Sequence, residues 1–509
     1  MSFRLVTTPL QSRVPLPAPR AGGFPAALLE ACVAAPGTEP VLERLREPGV
    51  LAVTTGQQPA LLTGPLYTVH KALSAAALAR ELETRWARPV VPIFWVAGDD
   101  HDFAEANTAA WIDASGRLER GALPARPPDA PMLPLYREAL GPAARELVGR
   151  FAGSLPETAF RAPTVAWLER HYRPERSMAA AFGGALAELL APLGVICIDS
   201  THAAFKRAAA PLLISALECS TELDRLLAVR AGDLASEGRD PGVAVGAGAS
   251  LVMLEGVAGR DRLVEDGEAF ATRRAGERFT LEALRRIAEE DPARLSPNVL
   301  LRPVVESALL PTVAYAAGPG ELRYLPLAAP VYQRLGVERQ TAVPRWSGMV
   351  VEARVDRVLE KFALQLEDLA EPPASLERRI LRSRLPEDAD ADLTRLRDTL
   401  AEGYDTVART AAAIDPTLVR SVEGRRDRAL EGLTRIEHRF IGHLRRRAEI
   451  EMRQLAGARE SVYPDGVPQE RVLVAPSFLA RHGPPLLDAT LAAAATWYRS
   501  ALEARPGPT

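Results

Sequence analysis

Apolar positions in residues 51–107 switch between solid blocks and helical spacing, and each change of rhythm predicts an element. Residues 51–55 form an apolar, β-branched block that stops at Gly56-Gln57-Gln58-Pro59, the pattern of a buried strand leaving a sheet. Thr63-Gly64-Pro65 follows, and then Leu66, Val69, Leu73, Ala76, Ala77 and Leu82 recur at helical spacing. A second block, Val90–Val96, ends in Ala97-Gly98-Asp99-Asp100-His101-Asp102-Phe103. Strand, glycine loop, helix and strand make the repeating unit of a parallel α/β sheet. Ligands of such sheets gather beyond the carboxyl ends of the strands, so the two polar loops are expected to face one site.

The same grammar returns later, interrupted twice. Residues 1–112 hold a Pro-rich lead-in, helical around 26–34 and 40–46, and then the first half of the core. Residues 113–192 carry Pro-rich stretches and helical pieces at 137–151 and 178–190 with no strand period, and are expected to be an insertion. Residues 193–219 resume the core with a buried strand, Leu-Gly-Val-Ile-Cys-Ile, closed by Asp199 and followed by a helix. Residues 220–297 form a second insertion, with strands at 250–254 and 262–265 and a helix starting near Thr280. Residues 298–350 complete the core: a strand at 312–316 runs into Gly318-Pro319-Gly320-Glu321, a second strand, glycine turn and helix, and 341–345 add another strand.

From about Val351 the period changes. Val351, Val355, Val358, Phe362 and Leu369 keep a three-and-four spacing among polar neighbours, as do Leu393, Leu396, Leu400, Val407 and Ile414. After Asp415-Pro416 the pattern resumes in Val422, Ala429, Leu433, Ile436, Phe440 and Ile450. Residues 351–460 are therefore expected to form an antiparallel coiled-coil arm whose seam can serve dimerisation. Its arginine run, from Arg425 to Arg447, reads as a solvated face in preference to an RNA or phosphate site. Residues 461–509 are expected to pack on the core, with a strand-like stretch at 471–475 and a closing helix near 486–502.

Composition narrows the function classes. With 47% hydrophobic and 25% charged residues and a net charge of -3, the 509-residue chain has no global bias toward nucleic acid. No apolar run reaches about 18 residues and the N-terminus lacks a signal-peptide core, so no membrane association and a cytoplasmic location are expected. Cys32, Cys197 and Cys219 are too dispersed for a disulfide framework or a metal knuckle.

The candidate chemistry lies in the loops. A glycine loop before a helix turns backbone N–H groups and the positive helix end toward anions, which marks Gln57, Gln58, Thr63, Gly64 and Tyr67 as binding candidates and His70 and Lys71 as charge-stabilising ones. Asp99, Asp100, His101 and Asp102 directly follow an apolar strand, where ionisable groups are costly unless paired or functional. The His-Asp pair also occurs in metal-dependent phosphohydrolases, but those set it on helices with further distant histidines; the remaining histidines here show no ligand spacing, so no metal site is expected.

Four stretches together, TTGQQPALLTGPLYTVHK (54–71), VPIFWVAGDDHDFAEAN (91–107), NVLLRPVVESALLPTVAYAAGPGELRYL (298–325) and PDGVPQERVL (464–473), resemble the bacillithiol biosynthesis cysteine-adding enzymes. The resemblance spans roughly residues 51–480. It implies a Rossmann-like core of the kind shared by class I aminoacyl-tRNA synthetases and nucleotidylyltransferases, two connecting-peptide insertions, and a coiled coil that forms a homodimer. It also implies a ligase that joins L-cysteine to the amine of glucosaminyl-malate, with ATP and magnesium as the expected means of carboxylate activation. On that basis Asp99, Asp100 or Asp102 would hold ammonium groups or act as base. Arg302 would pair with malate carboxylates, and Gly318, Gly320 and Glu321 would close the site near sugar hydroxyls. Asn107, Asp199, Glu306 and Tyr324 fall in or beside the same stretches as further binding candidates. The chain has neither HxGH nor KMSKS, so ATP use is inferred by analogy with the synthetases. A related transferase acting on another amine, or a noncatalytic nucleotide-binding dimeric scaffold, are the alternatives.

Overall fold

The computed structural model describes residues 3–502; residues 1–2 and 503–509, part of the expected first and last segments, lie outside the described residues. The chain divides into two compact units. One gathers Ser115–Arg117 with Val351–Pro468, and the other holds the remainder of the described chain.

The larger unit is built on a five-stranded parallel sheet. Its strands are β1 (Leu51–Gln57), β2 (Val90–Val96), β3 (Ile196–Asp199), β4 (Thr312–Ala317) and β5 (Thr341–Pro344), in the spatial order β5-β4-β1-β2-β3. β1 pairs with β2 residue for residue, from Leu51 opposite Val90 to Gln57 opposite Val96. The strands read as continuous apolar blocks because both faces are covered. Leu51, Val53, Phe94, Val96 and Cys197 point into one apolar cluster, while Ala52, Val91, Ile93, Trp95, Ile196 and Ile198 point into the other. Helix α1 (Tyr67–Trp86) packs on the first face beside the closing helix Pro485–Ala501, and α2 (Ala203–Glu218) on the second. The chain runs outward from β1 to β3, then returns to β4 on the other side of β1. The order therefore reverses between β1 and β4, the place where such sheets open a crevice. Thr55 ties the two strands there, its hydroxyl donating to the Ala316 carbonyl at 2.8 Å.

Both insertions hold more strand than their sequences suggested. A hairpin spans the expected start of the first, Thr108–Ile112 before it paired with Leu118–Ala122 inside it, where no strand was expected; the second strand, Leu-Glu-Arg-Gly-Ala, lacks an apolar period. Helices Ala143–Ser154, Arg161–His171 and Met178–Leu190 follow. The second insertion is a five-stranded antiparallel sheet in the order Arg278–Thr280, Ala269–Thr272, Gly259–Asp266, Ala249–Gly256, Leu295–Pro297. Helix α3 (Arg302–Leu309) leads into β4, and α4 (Pro319–Tyr324) leaves it. The strand-like stretch expected at 471–475 is reduced to single β-bridges, Leu473 to Ala110 and Val474 to Pro65, between the turn Gln469–Arg471 and helix Ala475–His482, whose first turn accepts Pro476 without losing a hydrogen bond.

In the smaller unit, α5 (Glu387–Ile414) and α6 (Val419–Arg447) fold back on each other as an antiparallel pair. Asp415 turns the chain between them by accepting the Thr417 N–H at 2.8 Å. The apolar spacing after Val351 resolves into two shorter helices, Ala353–Phe362 and Pro373–Arg382: Ala363, at a left-handed φ of 53°, ends the first, the turn Leu366–Ala370 carries Leu369, and Pro373 opens the second. The arginine run is exposed and partly ion-paired, with Arg426 at 3.0 Å from Asp405 and Arg435 at 2.7 Å from Glu431. No described helix is long and apolar enough to cross a membrane.

Gly56 lets β1 lie close against its neighbour: a Cβ there would meet the Trp95 Cβ and carbonyl oxygen at 2.8 Å. Gly56→Ala is expected to lower unfolding stability by about 1–3 kcal/mol, as overpacking does, measured by denaturant titration; an unchanged midpoint would mean the strands can part at no cost.

Candidate functional site

A cavity of about 510 Å³ opens at the carboxyl ends of the five strands, within the larger unit. Each strand contributes to it through the residues just past its end. These are Gln57 and Gln58 after β1, Asp99 to His101 after β2, Ser200 after β3, Gly318 to Glu321 after β4, and Arg345 after β5. Tyr67 and Lys71 enter from α1, Arg302 from α3, Tyr324 from α4, Arg260 and Arg262 from the second insertion, and Arg471 from the C-terminal segment.

The floor of the cavity is a lattice of buried ion pairs. Lys71 donates to the Gly56 carbonyl at 2.8 Å, to Gln57 Oε1 at 3.0 Å and lies 2.7 Å from Glu321 Oε2, which occupies its three N–H groups. Burial pulls the Lys71 ammonium below its ordinary value, with Glu321 opposing. Burial would raise Glu321, but Lys71, the Tyr315 hydroxyl and the Gly318 N–H outweigh it and hold the carboxyl below the usual range. Arg302 Nη1 is 2.6 Å from Glu306, which is fully buried behind it. Lys206 reaches Asp99 at 2.5 Å and also donates to the Leu295 carbonyl. Arg345 grips Glu470 with both terminal nitrogens, at 2.8 and 2.6 Å. His70 and Ser347 each add a bond to the same carboxylate at 2.8 Å. Burial would raise Glu470, yet the hydrogen bonds from His70 and Arg345 hold its carboxyl well below the usual range. Burial pushes the His70 imidazole down, with the Glu470 hydrogen bond opposing; a carboxylate can only accept, so Nδ1 donates its proton to Glu470. Two donors in this lattice are left without partners: Arg302 Nη2 and Arg345 Nε are buried and make no hydrogen bond. A buried guanidinium N–H is costly to leave unmet, so a cavity lined by both arginines suits an anion.

The expected residues divide accordingly. Gln57, Gln58, Tyr67, Lys71, Asp99, Asp100, His101, Arg302, Gly318, Gly320, Glu321 and Tyr324 all line the cavity. Seven others do not. His70 points away, to Glu470, with its ring edge-on to Trp346. Thr63 and Gly64 face the first insertion: Thr63, at a left-handed φ of 67°, donates its N–H to the Tyr172 hydroxyl at 2.6 Å. The Leu66 N–H preceding α1 goes to the Leu473 carbonyl, so the expected anion cradle at this helix start is partly closed by backbone. Asp102 caps the short helix Phe103–Ala106 by accepting the Glu105 N–H at 3.0 Å. Asn107 donates to the Leu123 carbonyl, and Asp199 accepts from the Thr201 N–H and hydroxyl. Glu306 acts behind Arg302.

Asp100 uses Oδ1 to accept the His101 and Asp102 N–H groups at 2.7 and 3.1 Å. His101 Nδ1 lies 3.0 Å from Arg260 Nη1, and burial, followed by that guanidinium, pushes the imidazole down to about 4. Sequence reasoning missed Arg260, Arg262, Lys206, Tyr315, Arg345, Glu470 and Arg471. Glu470 and Arg471 lie inside PDGVPQERVL, where two charged residues between apolar neighbours were the available signal. Among the described residues no group of three or more His, Cys, Asp or Glu side chains could hold a metal.

Residues 29–346 match the family model for the N-terminal Rossmann-like domain of bacillithiol biosynthesis BshC, and residues 348–496 match that for its C-terminal coiled-coil domain. The chain belongs to the BshC family. Among BshC relatives, one from Koribacter versatilis is 32% identical over 89% of this chain and 84% of its own length. Another, from Salinibacter ruber, is 30% identical over 88% and 81%, and a third, from Solibacter usitatus, 31% over 90% and 85%. All three bear the name "Putative cysteine ligase BshC". The Rossmann-like match covers every strand that feeds the cavity, and the coiled-coil match covers α5, α6 and Glu470.

Glu470→Ala would strand the Arg345 charge in the interior and is expected to cost about 3–5 kcal/mol in unfolding stability, measured by denaturant titration. Because the folded Glu470 carboxyl is held down, its contribution is complete above the ordinary carboxyl range and fades as pH falls toward the depressed value. The wild-type and variant curves should therefore converge on acidification; parallel curves would assign the stability elsewhere.

Proposed function

We propose that this protein is a ligase that joins the carboxyl group of L-cysteine to the amine of glucosaminyl-malate, using ATP with magnesium. The observation that carries the reading is the pair of guanidiniums, Arg302 and Arg345, each with one buried donor unmet, in a cavity that Asp100 also lines. Such a cavity suits substrates bearing carboxylates or phosphates at one end and an ammonium at the other. The family to which the chain belongs, and the cysteine-ligase name of its relatives, support cysteine as one of the substrates.

ATP supplies the leaving group that turns a carboxylate into an electrophile. Arg302 and Arg345 stabilise the anionic oxygens, while their partners Glu306 and Glu470 keep the guanidiniums fixed in place. Gly318 and Gly320 leave room for a phosphate or sugar beside α4; at Gly320 an added Cβ would meet open space, and at Gly318 it would come no nearer than ordinary contact, 3.4 Å from Glu321 Oε2. Magnesium would ride on the phosphates and keep most of its waters, as it commonly does. Asp100, with one oxygen tied to its own loop, accepts the proton of the attacking amine as the new C–N bond forms and the acyl–oxygen bond to phosphate breaks. The three cysteines are free thiols, which suits a cytoplasmic enzyme. A homodimer is part of the proposal: α5 and α6 leave Leu396, Val407, Ile436 and Phe440 between 43% and 54% exposed, an apolar seam that a second copy would cover.

Purified protein with cysteine, glucosaminyl-malate and magnesium ATP is expected to yield cysteinyl-glucosaminyl-malate by mass spectrometry, with AMP or ADP, and none when any component is omitted. Arg302→Lys, which loses the planar fork, should cut kcat/KM by about 10²-fold. Product formation without ATP would reject the activation chemistry, and no product under any combination would reject the ligase. Separately, Val407→Asp with Phe440→Glu should convert a dimer to a monomer by light scattering, and an unchanged mass would reject the seam.

A further inference from the structure

His101 sits at the cavity wall with one ring nitrogen committed. Its Nδ1 lies 3.0 Å from Nη1 of Arg260, and a guanidinium can only donate, so Nδ1 must be the acceptor. A neutral imidazole with an accepting Nδ1 carries its proton on Nε2. No group among the described residues takes that Nε2–H, while the ring lines the cavity. Arg260 cannot swing away to release the tautomer. It comes from the strand Gly259–Asp266 of the second insertion and is almost fully buried. Its Nε donates to Ser296 Oγ at 2.9 Å and its Nη2 to the Pro297 carbonyl at 2.8 Å.

We infer that His101 serves the bound substrate as a neutral Nε2–H hydrogen-bond donor, and that Arg260 is the positioning residue that fixes this tautomer from the insertion. The inference rests on reading the cavity as the ligation site, and it deepens that reading by removing His101 from the candidates for general base. An imidazole whose Nδ1 is blocked and whose Nε2 is already protonated has no lone pair to offer an ammonium. What it offers is a directed donor for an oxygen that gains negative charge, such as the carbonyl oxygen of an activated carboxyl group under attack by an amine. Proton acceptance then falls to Asp100 on the same loop. The charges facing His101 come from several elements: Asp100 and Asp102 on its own loop favour the imidazolium, Arg260 and Arg274 from the insertion oppose it, and Arg126 donates to the His101 carbonyl at 3.3 Å. The close, pinned member of this set is Arg260.

The test uses the full chain labelled with imidazole-¹⁵N histidine, with His101→Gln identifying the resonances. His101 is expected to show an unprotonated Nδ1 and a protonated Nε2 unchanged between about pH 5.5 and 8.5. In Arg260→Met the His101 titration should move upward from its wild-type position while burial still holds it below the ordinary histidine value of about 6.5, and the proton should no longer be confined to Nε2. Titration of His101 in the wild type within that range, or a proton on Nδ1, would overturn the inference; an unchanged titration and tautomer in Arg260→Met would remove Arg260 from the role. Kinetics provide an independent arm that does not depend on the buried arginine. His101→Gln keeps a neutral N–H donor and should retain turnover within about tenfold of wild type, whereas His101→Ala should lose about 10²–10³-fold. Equal losses in the two variants would overturn the donor role. Absence of ligation by the wild type would count against the proposed reaction, while the NMR readout would still decide the tautomer.

Discussion

Five cations lie largely buried around one cavity, and four of them are paired with a carboxylate: Lys71 with Glu321, Lys206 with Asp99, Arg302 with Glu306, Arg345 with Glu470. The fifth, Arg260, is held by neutral acceptors, Ser296, the Pro297 carbonyl and His101. The desolvation cost of each ion is several kcal/mol, which these partners offset. Much of the larger unit can be understood as the means of bringing these pairs together. Lys71 stands on α1 and Glu321 on α4, on opposite sides of the reversal in strand order. Lys206 stands on α2, one strand beyond Asp99. The pairs differ in what they leave over. Lys71 is saturated, whereas Arg302 and Arg345 each retain a donor that the protein itself does not satisfy. Rigidity and unmet valence are thus combined in the same two guanidiniums, which is the arrangement that stabilises charge without reorganisation.

The second insertion gains a chemical role from this geometry. Its antiparallel sheet projects Arg260 and Arg262 over the carboxyl ends of the parallel strands, and Arg260 sets the hydrogen-bonding state of a histidine that belongs to the core. An element that interrupts the sheet in sequence therefore completes the site in space.

Much of the core was legible because parallel strands covered on both faces must be continuous apolar blocks, and residues 51–57 and 90–96 are unmistakable examples. The helices at 203–218, 387–414 and 419–447 were legible through their period. The hairpin strand Leu118–Ala122 was not, since its register is set by its partner and not by its own alternation. Among candidate site residues, position after a strand end drew attention to Asp99, Asp100, His101 and Glu321, which line the cavity. His70, Thr63 and Asp199 are turned away from it, because helix periodicity does not reveal which face a polar residue presents and a turn can absorb an acid in its own backbone bonds. Arg345 and Glu470, 125 residues apart, form a pair that no local pattern can announce.

That separation also orders the protein's birth. β5 emerges from the ribosome soon after residue 345, carrying an arginine that needs a partner before it can enter the interior. Glu470 follows roughly 6–25 s later at ordinary elongation rates. During that interval the nascent sheet has every strand it will ever have, yet burying Arg345 remains unfavourable until the chain has passed through α5 and α6 and returned. Synthesis of the coiled coil thus precedes closure of the core, and a chain truncated within it would leave the ribosome with all its strands and an open interior.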